Sequence, residues 1–230
     1  MSQDFLLISF EFAVLIFAFT VHEAAHAWTA WRLGDPTARM LGRVTLNPVK
    51  HIDPLGSVII PLIAAVYHWP LIGWAKPTPI TSRNFKNYKR DDILVTLAGP
   101  ASNLLMASVS LILLVAMKHA GGVDAINGAI YLSQGGKDLV LAKAPRLFPV
   151  ALLLYCGVLI NLSLFVFNLL PIPPLDGSHV VSHFLPYRAQ QMYDKVGQFG
   201  ILILMIVGGR VMGVFLYPLL DVFNRVLEAL

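Results

Sequence analysis

The residues of this sequence best suited to chemistry are the histidines and the glutamate of His22-Glu23-Ala24-Ala25-His26. Residues four positions apart lie one turn apart on the same face of a helix, so both imidazoles can approach one metal ion. Imidazole nitrogens suit zinc, and the carboxylate of Glu23 can take a proton from an activated water and pass it to a leaving amine. The pentapeptide predicts a zinc site for peptide hydrolysis, with His22 and His26 as ligands and Glu23 as the catalytic residue.

A third ligand must come from elsewhere in the chain, because a catalytic zinc ion usually has three protein ligands and one position for water. The candidate is Asp176, which follows Pro171, Pro173 and Pro174 and precedes Gly177. The prolines end the preceding helix, and irregular backbone near a membrane is tolerated where it is buried in protein or lines a wet cavity. Spacing alone leaves two interpretations open: Asp176 bends back to the histidines as a ligand, or it caps the next short helix.

The composition indicates that these residues are positioned by membrane helices. Hydrophobic residues make up 57% of the chain, charged residues 13%, and the mean hydropathy is +0.69. Four apolar runs approach the roughly 20 residues that a helix needs to cross hydrocarbon. We predict an all-α polytopic membrane helix bundle, forming one integral-membrane domain over residues 1–230. Its long helices are expected over about residues 5–32, 92–117, 148–170 and 199–220, with a short re-entrant or additional membrane segment at about 54–74.

The distribution of basic residues predicts how the bundle is oriented. Lysines and arginines in short loops are retained on the cytoplasmic side. They cluster in two loops, at Arg32, Arg39, Arg43 and Lys50, and at Lys76, Arg83, Lys86, Lys89 and Arg90. Both loops can be cytoplasmic only if segment 54–74 enters and leaves on one side. We therefore expect a multi-pass protein of the cell membrane with its N-terminus and the loop at 118–146 outside, and an active site that opens towards the cytoplasm.

Depth within the bilayer separates the functional interpretation of the motif from a structural one. The motif precedes Arg32 by about ten residues, or roughly 15 Å of helix, so its ionisable groups lie below the membrane surface. Such groups are costly and are usually functional, although a buried polar packing cluster is the alternative. Asn103 lies at a similar depth, and the Gly99-Pro100 pair either brings it to the site or allows close helix packing. For Asn161 we expect an interhelical hydrogen bond.

Several motifs together resemble the site-2 protease family. They are His22 to His26, the later Asn-Leu-Leu-Pro-Ile-Pro-Pro-Leu-Asp-Gly at 168–177, and the stretches Asn47 to Gly56, Gly73 to Pro77 and Ala98 to Asn103. The resemblance covers roughly residues 21–178. No PDZ-like insertion separates the motifs and no CBS pair follows them, so the chain resembles a minimal, bacterial-type member.

The resemblance implies roles for individual residues. It implies one zinc ion per chain, bound by His22, His26 and Asp176, with Glu23 as the catalytic residue and Asn168 placed to hold the substrate backbone. Asn103 is a weaker candidate for substrate binding. The implied partners are transmembrane protein substrates in the lipid bilayer, cut in regulated intramembrane proteolysis. The net charge of +4 is explained by basic loops facing the membrane, without nucleic acid, and no oligomeric state is predicted.

Two functions of other classes use the same ligands: a membrane metal transporter, and a non-catalytic membrane protein with structural zinc. Glu23 discriminates between them and an enzyme, because neither requires a carboxylate that does not bind the metal beside it. A structural site would also more often have four protein ligands, whereas the sequence provides three candidates. Hydrolysis is therefore the preferred prediction.

Overall fold

A computed structural model describes residues 3–67, 73–136 and 145–230. Within these residues the regular structure is helical. The α-helices are α1 (Gln3–Arg32), α2 (Thr37–Met40), α3 (Ile60–Val66), α4 (Tyr88–His119), α5 (Val123–Ser133), α6 (Phe148–Asn168), α7 (Asp176–Ser182), α8 (Tyr187–Gly197) and α9 (Gly200–Ala229). A π-helical turn at Pro54–Ile59 leads into α3, and 3-10 turns lie at Pro48–Lys50 and Ser82–Asn84.

Three of the helices in the described part of the chain are long and apolar enough to cross a membrane: α1, α4 and α6. The 30 residues of α1 extend over about 45 Å at 1.5 Å per residue, more than the roughly 30 Å of hydrocarbon. Helix α9 lies where the fourth long helix was predicted and continues beyond it to Ala229. The prediction of an all-α, multi-pass bundle is confirmed.

Helices α4 and α6 approach each other closely. A Cβ atom added at Gly157 of α6 would lie 2.6 Å from Oγ of Ser110 on α4. Ala107 and Ala151, also on these two helices, are fully buried. Small side chains let membrane helices come close enough for polar groups to bond across the interface. The two helices are therefore close enough for asparagine side chains on α4 and α6 to bond to each other.

The main hydrophobic core lies towards the ends of α4 and α6 that are remote from the histidine motif. It joins residues of α1, α4, α5, α6 and α9, among them Val14, Leu114, Ile126, Leu152 and Phe223. Helix α5 belongs to this core although it lies within the segment 118–146 that we expected to be an external loop. Its apolar residues at helical spacing are buried against the bundle, so residues 123–133 form a packed helix and not an open loop.

The predicted re-entrant segment at 54–74 begins as the helix Pro54–Val66, and its residues 68–72 lie outside the described part of the chain. Its two ends meet. The amide of Trp74 donates to the carbonyl of Gly56 at 3.1 Å, and Oγ of Ser57 donates to the carbonyl of Trp74 at 2.7 Å. The chain therefore returns to where the segment started, as a segment that enters and leaves on one side requires.

Candidate metal centre

The imidazole rings of His22 and His26 lie next to each other on one face of α1. Their side chains are buried, and their Nε2 atoms are 3.0 Å apart. Their position one helical turn apart on the same face accounts for this, as the spacing predicts. Glu23, between them in sequence, is also buried. All three ionisable side chains are thus withdrawn from the exterior of the bundle.

The proline-rich turn brings Asp176 to the histidines. Oδ2 of Asp176 lies 3.1 Å from Nε2 of His22 and 3.5 Å from Nε2 of His26. The turn is tight, because a Cβ atom at Gly177 would lie only 2.3 Å from the carbonyl oxygen of Leu169. Asp176 is the first residue of α7, where no side chain caps the helix, so the capping interpretation of this residue is not what the structure shows.

The outer ring nitrogens of both histidines are engaged by other helices. Nδ1 of His26 lies 2.7 Å from the backbone carbonyl of Val95, and Nδ1 of His22 lies 2.6 Å from Oδ1 of Asn103. A carbonyl oxygen only accepts, so Nδ1 of His26 carries the proton and donates. With Nδ1 protonated, a neutral imidazole presents a lone pair at Nε2.

The donor set fits a metal ion. Two Nε2 atoms and a carboxylate oxygen converge on one point, and Oδ2 of Asp176 is buried without a hydrogen-bond partner among the described residues. A cation between these acceptor atoms would satisfy all of them at once. In a tetrahedral zinc site with bonds of about 2.0–2.2 Å, neighbouring ligand atoms are about 3.3–3.6 Å apart. The three observed separations of 3.0, 3.1 and 3.5 Å are close to this value.

Space at this point is provided by Gly99 of α4. A Cβ atom there would lie 2.3 Å from Nε2 of His26 and 2.6 Å from Nε2 of His22. Any larger residue would therefore enter the volume in which the ring nitrogens converge. The sequence indicated only that the Gly99-Pro100 pair allows either close packing or an approach of Asn103, and the structure shows both.

The carboxylate of Glu23 is held by an extended segment of the chain. Oε2 of Glu23 accepts a hydrogen bond of 2.7 Å from the amide of Thr78, and Oγ1 of Thr78 donates to the carbonyl of Glu23 at 3.1 Å. Arg43 positions this segment, because its buried guanidinium donates to the carbonyls of Lys76 and Pro77. This hydrogen bond uses Oε2 of Glu23 and does not involve Oε1.

The other predicted residues lie as follows. Asn168 ends α6 half-buried, and its Nδ2 donates to the carbonyl of Leu164 at 3.0 Å. Asn103 is fully buried, and its Nδ2 donates to Oδ1 of Asn161 at 3.0 Å, which confirms the interhelical hydrogen bond expected of Asn161. Substrate binding by Asn168 and Asn103 stays a prediction.

The sequence did not identify Thr78, Val95 and Arg43 as parts of the site. Thr78 and Val95 act through backbone groups, which every residue type carries, so nothing in their identity marks them. The prolines on both sides of Thr78 favour extended backbone there, but this does not indicate which carboxylate the amide meets. The signal for Arg43 was an arginine in a loop, which we interpreted as an element of membrane orientation.

Comparison with known protein families gives one match over most of the chain. Residues 10–208 match the family model described as peptidase family M50. No solved structure matches the chain. The matched range includes His22, His26, Glu23 and Asp176, and it extends into α9.

Curated relatives carry names of the same kind. The chain is 36% identical to "Putative zinc metalloprotease YwhC" of Bacillus subtilis over 216 residues, which are 94% of this chain and 87% of the relative. It is 29% identical to "Putative zinc metalloprotease Rip2" of Mycolicibacterium smegmatis over 187 residues, 81% of this chain and 61% of that protein. The protein of the same name from Mycobacterium tuberculosis is 28% identical over 204 residues.

Proposed function

This chain belongs to peptidase family M50, and we propose that it hydrolyses peptide bonds of transmembrane proteins at a zinc site formed by His22, His26 and Asp176, with Glu23 as the catalytic base. The family makes it a zinc metalloendopeptidase, and its long apolar helices make it a multi-pass membrane protein. We propose in addition the roles of the individual residues, the class of substrate and the location in the cell membrane.

One observation carries it: three potential ligand atoms from α1 and α7 converge on one point, with a non-ligand carboxylate next to the first of them in sequence. Glu23 is not one of the converging groups, and its Oε2 is bonded to the amide of Thr78. A base beside the metal, held in place from outside the ligand set, is what hydrolysis requires.

The residues divide the chemistry between them. Zinc, when bound, polarises the scissile carbonyl and lowers the pKa of a water molecule. Glu23 accepts the proton that this water loses as its oxygen attacks the carbonyl carbon, and it later gives that proton to the amine that leaves when the C–N bond breaks. The amide of Thr78 keeps the Glu23 carboxylate in one orientation through both transfers. Asn168 is proposed to hold the substrate backbone at the metal.

The depth of the site supports substrates that are membrane proteins. The motif lies on a helix long enough to span the bilayer, and its side chains are buried among helices. A substrate helix must unwind locally before its amide can be attacked, because an intact helix protects its own backbone. We propose that the 54–74 segment and the turn at 171–174 receive this unwound strand. The cleavage is proposed as a step of regulated intramembrane proteolysis in the cell membrane, with the site reached from the cytoplasm.

A comparison of wild type with Glu23→Gln tests this function. Both purified proteins are assayed for bound zinc by elemental analysis and for cleavage of a transmembrane substrate. We expect Glu23→Gln to keep its zinc and to lose cleavage by at least about 100-fold, because the amide cannot accept the proton. Unchanged cleavage in the variant, or a wild type that binds no zinc, would contradict the proposal.

A further inference from the structure

Two asparagines on different helices lie directly behind His22. Asn103 of α4 and Asn161 of α6 are both 0% exposed. Nδ2 of Asn161 donates to the carbonyl of Gly157 at 2.9 Å, Oδ1 of Asn161 accepts from Nδ2 of Asn103 at 3.0 Å, and Oδ1 of Asn103 lies 2.6 Å from Nδ1 of His22. The three contacts form a hydrogen-bond relay that runs from the backbone carbonyl of Gly157 through Asn161 and Asn103 to the imidazole of His22.

The carbonyl of Gly157 fixes which group donates and which accepts along this relay. The carbonyl of Gly157 can only accept, so the amide nitrogen of Asn161 must face it and the amide oxygen must face Asn103. That oxygen in turn requires the amide nitrogen of Asn103, which leaves the oxygen of Asn103 for His22. A carbonyl oxygen at Nδ1 keeps the proton of a neutral His22 on Nδ1.

We propose that Asn161 is a positioning residue for the metal centre: through Asn103 it fixes the tautomer of His22 and leaves the Nε2 lone pair of His22 free for zinc. This inference rests on the proposed role of His22 as a ligand. Asn161 touches neither the metal position nor Glu23 in the contacts described above, so it acts only through Asn103.

The reverse orientation of Asn103 would oppose metal binding. With its amide turned over, Asn103 would direct an N–H group at Nδ1 of His22, which would favour the tautomer protonated at Nε2. That proton would point at Nε2 of His26 and Oδ2 of Asp176, in the place of the metal. Both asparagines are fully buried, so bulk water does not compete for these contacts, and the acceptor of Asn161 selects between the two orientations.

The test removes the acceptor of Asn161 and then supplies a substitute for it. In Asn161→Leu, a residue of similar size leaves Asn103 without the partner that orients it. In the double variant Asn103→Asp with Asn161→Leu, a carboxylate accepts from Nδ1 of His22 in either orientation and needs no orienting partner. Ser163→Ala is the matched control, since among the described residues the Ser163 hydroxyl bonds within α6, to the carbonyl of Leu159.

Zinc affinity of the full-length purified chain is measured by competition with a chelator of known affinity, alongside cleavage of the transmembrane substrate. We expect Asn161→Leu to bind zinc about tenfold to a hundredfold more weakly than wild type, and Ser163→Ala to bind it as wild type does. The double variant should regain most of the lost affinity. A purely structural role for Asn161 would not be rescued in this way, because the double variant departs further from the native packing.

The inference is overturned if folded Asn161→Leu binds zinc as tightly as wild type, or if the double variant binds it no better than Asn161→Leu. If Asn161→Leu does not fold, Asn161→Asp provides the test. Its carboxyl group keeps an acceptor facing Asn103, so its zinc affinity should stay close to that of wild type. A tenfold loss of zinc affinity (about 1.4 kcal/mol) in Asn161→Asp would reject the relay. Wild type that binds zinc and cleaves substrate while the relay fails rejects only this inference, whereas metal-free wild type rejects the proposed function as well.

Discussion

At the residue scale, the carboxylate that we propose as the catalytic base is held by a main-chain donor from another part of the chain. Oε2 of Glu23 accepts from the amide of Thr78, and the side chain of Thr78 adds a longer bond to the carbonyl of Glu23. The two bonds have different functions. The amide orients the carboxylate that is proposed to move the proton, whereas the hydroxyl only ties two backbone segments together.

Thr78→Pro removes this amide donor and separates its contribution from that of the side chain. We expect cleavage to fall by about tenfold to a hundredfold with zinc content unchanged, because the base loses its orientation but the ligands do not. Thr78→Val, which keeps the amide and loses the hydroxyl, is the control and should remain within about threefold of wild type. Equal activities of the two variants, measured as kcat with the same substrate, would show that the amide does not position Glu23.

Gly99 allows a second prediction at this scale. Alanine normally stabilises a helix relative to glycine by about 0.5–1 kcal/mol, but a Cβ atom at position 99 would lie 2.3 Å from Nε2 of His26. Gly99→Ala is therefore expected to lose bound zinc and cleavage without losing its helical content. Gly209→Ala, in a helix position with open space around the added atom, should leave zinc content unchanged. Elemental analysis and circular dichroism of both variants check this, and zinc retained in Gly99→Ala would contradict it.

At the element scale, two carboxylates fasten the loops around the site to the helices. Asp35, just after α1, accepts from the amide of Thr81 at 2.7 Å and from Nδ2 of Asn84 at 2.8 Å, and it also bonds with Thr37. This holds the segment that carries Thr78 against the end of α1. In the same way Asp92 of α4 bonds with His183 at 2.7 Å, beyond the end of α7, the helix that begins with Asp176.

The pKa of Asp35 gives a pH-dependent test of this fastening. Burial by itself would raise the pKa of Asp35, but the hydrogen bonds from Thr37, Thr81 and Asn84 outweigh burial and lower it. A carboxyl with a lowered folded-state pKa stabilises the fold above its unfolded pKa of about 3.9, and this contribution is lost as the pH falls through the lower folded-state value.

We therefore expect Asp35→Asn to lower the free energy of unfolding by about 2–3 kcal/mol near neutral pH. The difference from wild type should be constant down to about pH 5 and shrink as the pH falls below about 4. Unfolding of both proteins in detergent, followed against pH, measures it. Asp124→Asn, at an exposed position in α5, is the control, and a gap between wild type and Asp35→Asn that widens on acidification would be inconsistent with this role.

At the scale of the whole molecule, the candidate metal centre and the main hydrophobic core lie at opposite ends of the bundle. The histidine motif, the turn at 171–175 and the basic loops gather at one end, whereas the main hydrophobic core joins α5 and the C-terminal part of α9 at the other. Nζ of Lys118, at the end of α4, donates to the carbonyls of Leu227 and Glu228 at the end of α9. The two helices therefore finish on the same side, as the proposed topology requires.

Single cysteines test this sidedness, since the native Cys156 is buried and only 1% exposed. Met40, in the first basic loop, is 81% exposed, and Val123, at the start of α5, is 44% exposed. Met40→Cys should react with a membrane-impermeant maleimide only from the cytoplasmic side, and Val123→Cys only from the outer side, because the positive-inside rule retains the basic loops inside. Wild type supplies the background labelling. Labelling of both cysteines from one side would refute the topology.

The sequence by itself determined what depends on local periodicity and composition. The apolar runs predicted α1, α4 and α6 because their length matches the bilayer, and the spacing of His22 and His26 placed both rings on one face because a helix repeats every 3.6 residues. These are statements about neighbouring residues, and they need no knowledge of the rest of the fold. For Asp176 the local pattern left two interpretations open, a metal ligand or a helix cap, and the resemblance to the site-2 protease family implied the ligand.

The tertiary structure decided which groups hold those side chains in place. The amide of Thr78 and the carbonyl of Val95 are backbone groups that every amino acid carries, so no residue type announces them. Asn103 meets His22 across 81 positions and Asn161 across 58, distances over which local patterns carry no information. Helix α5 packs into the core although it lies in a segment that we expected to be a loop, because only the packed bundle offers its apolar face a partner.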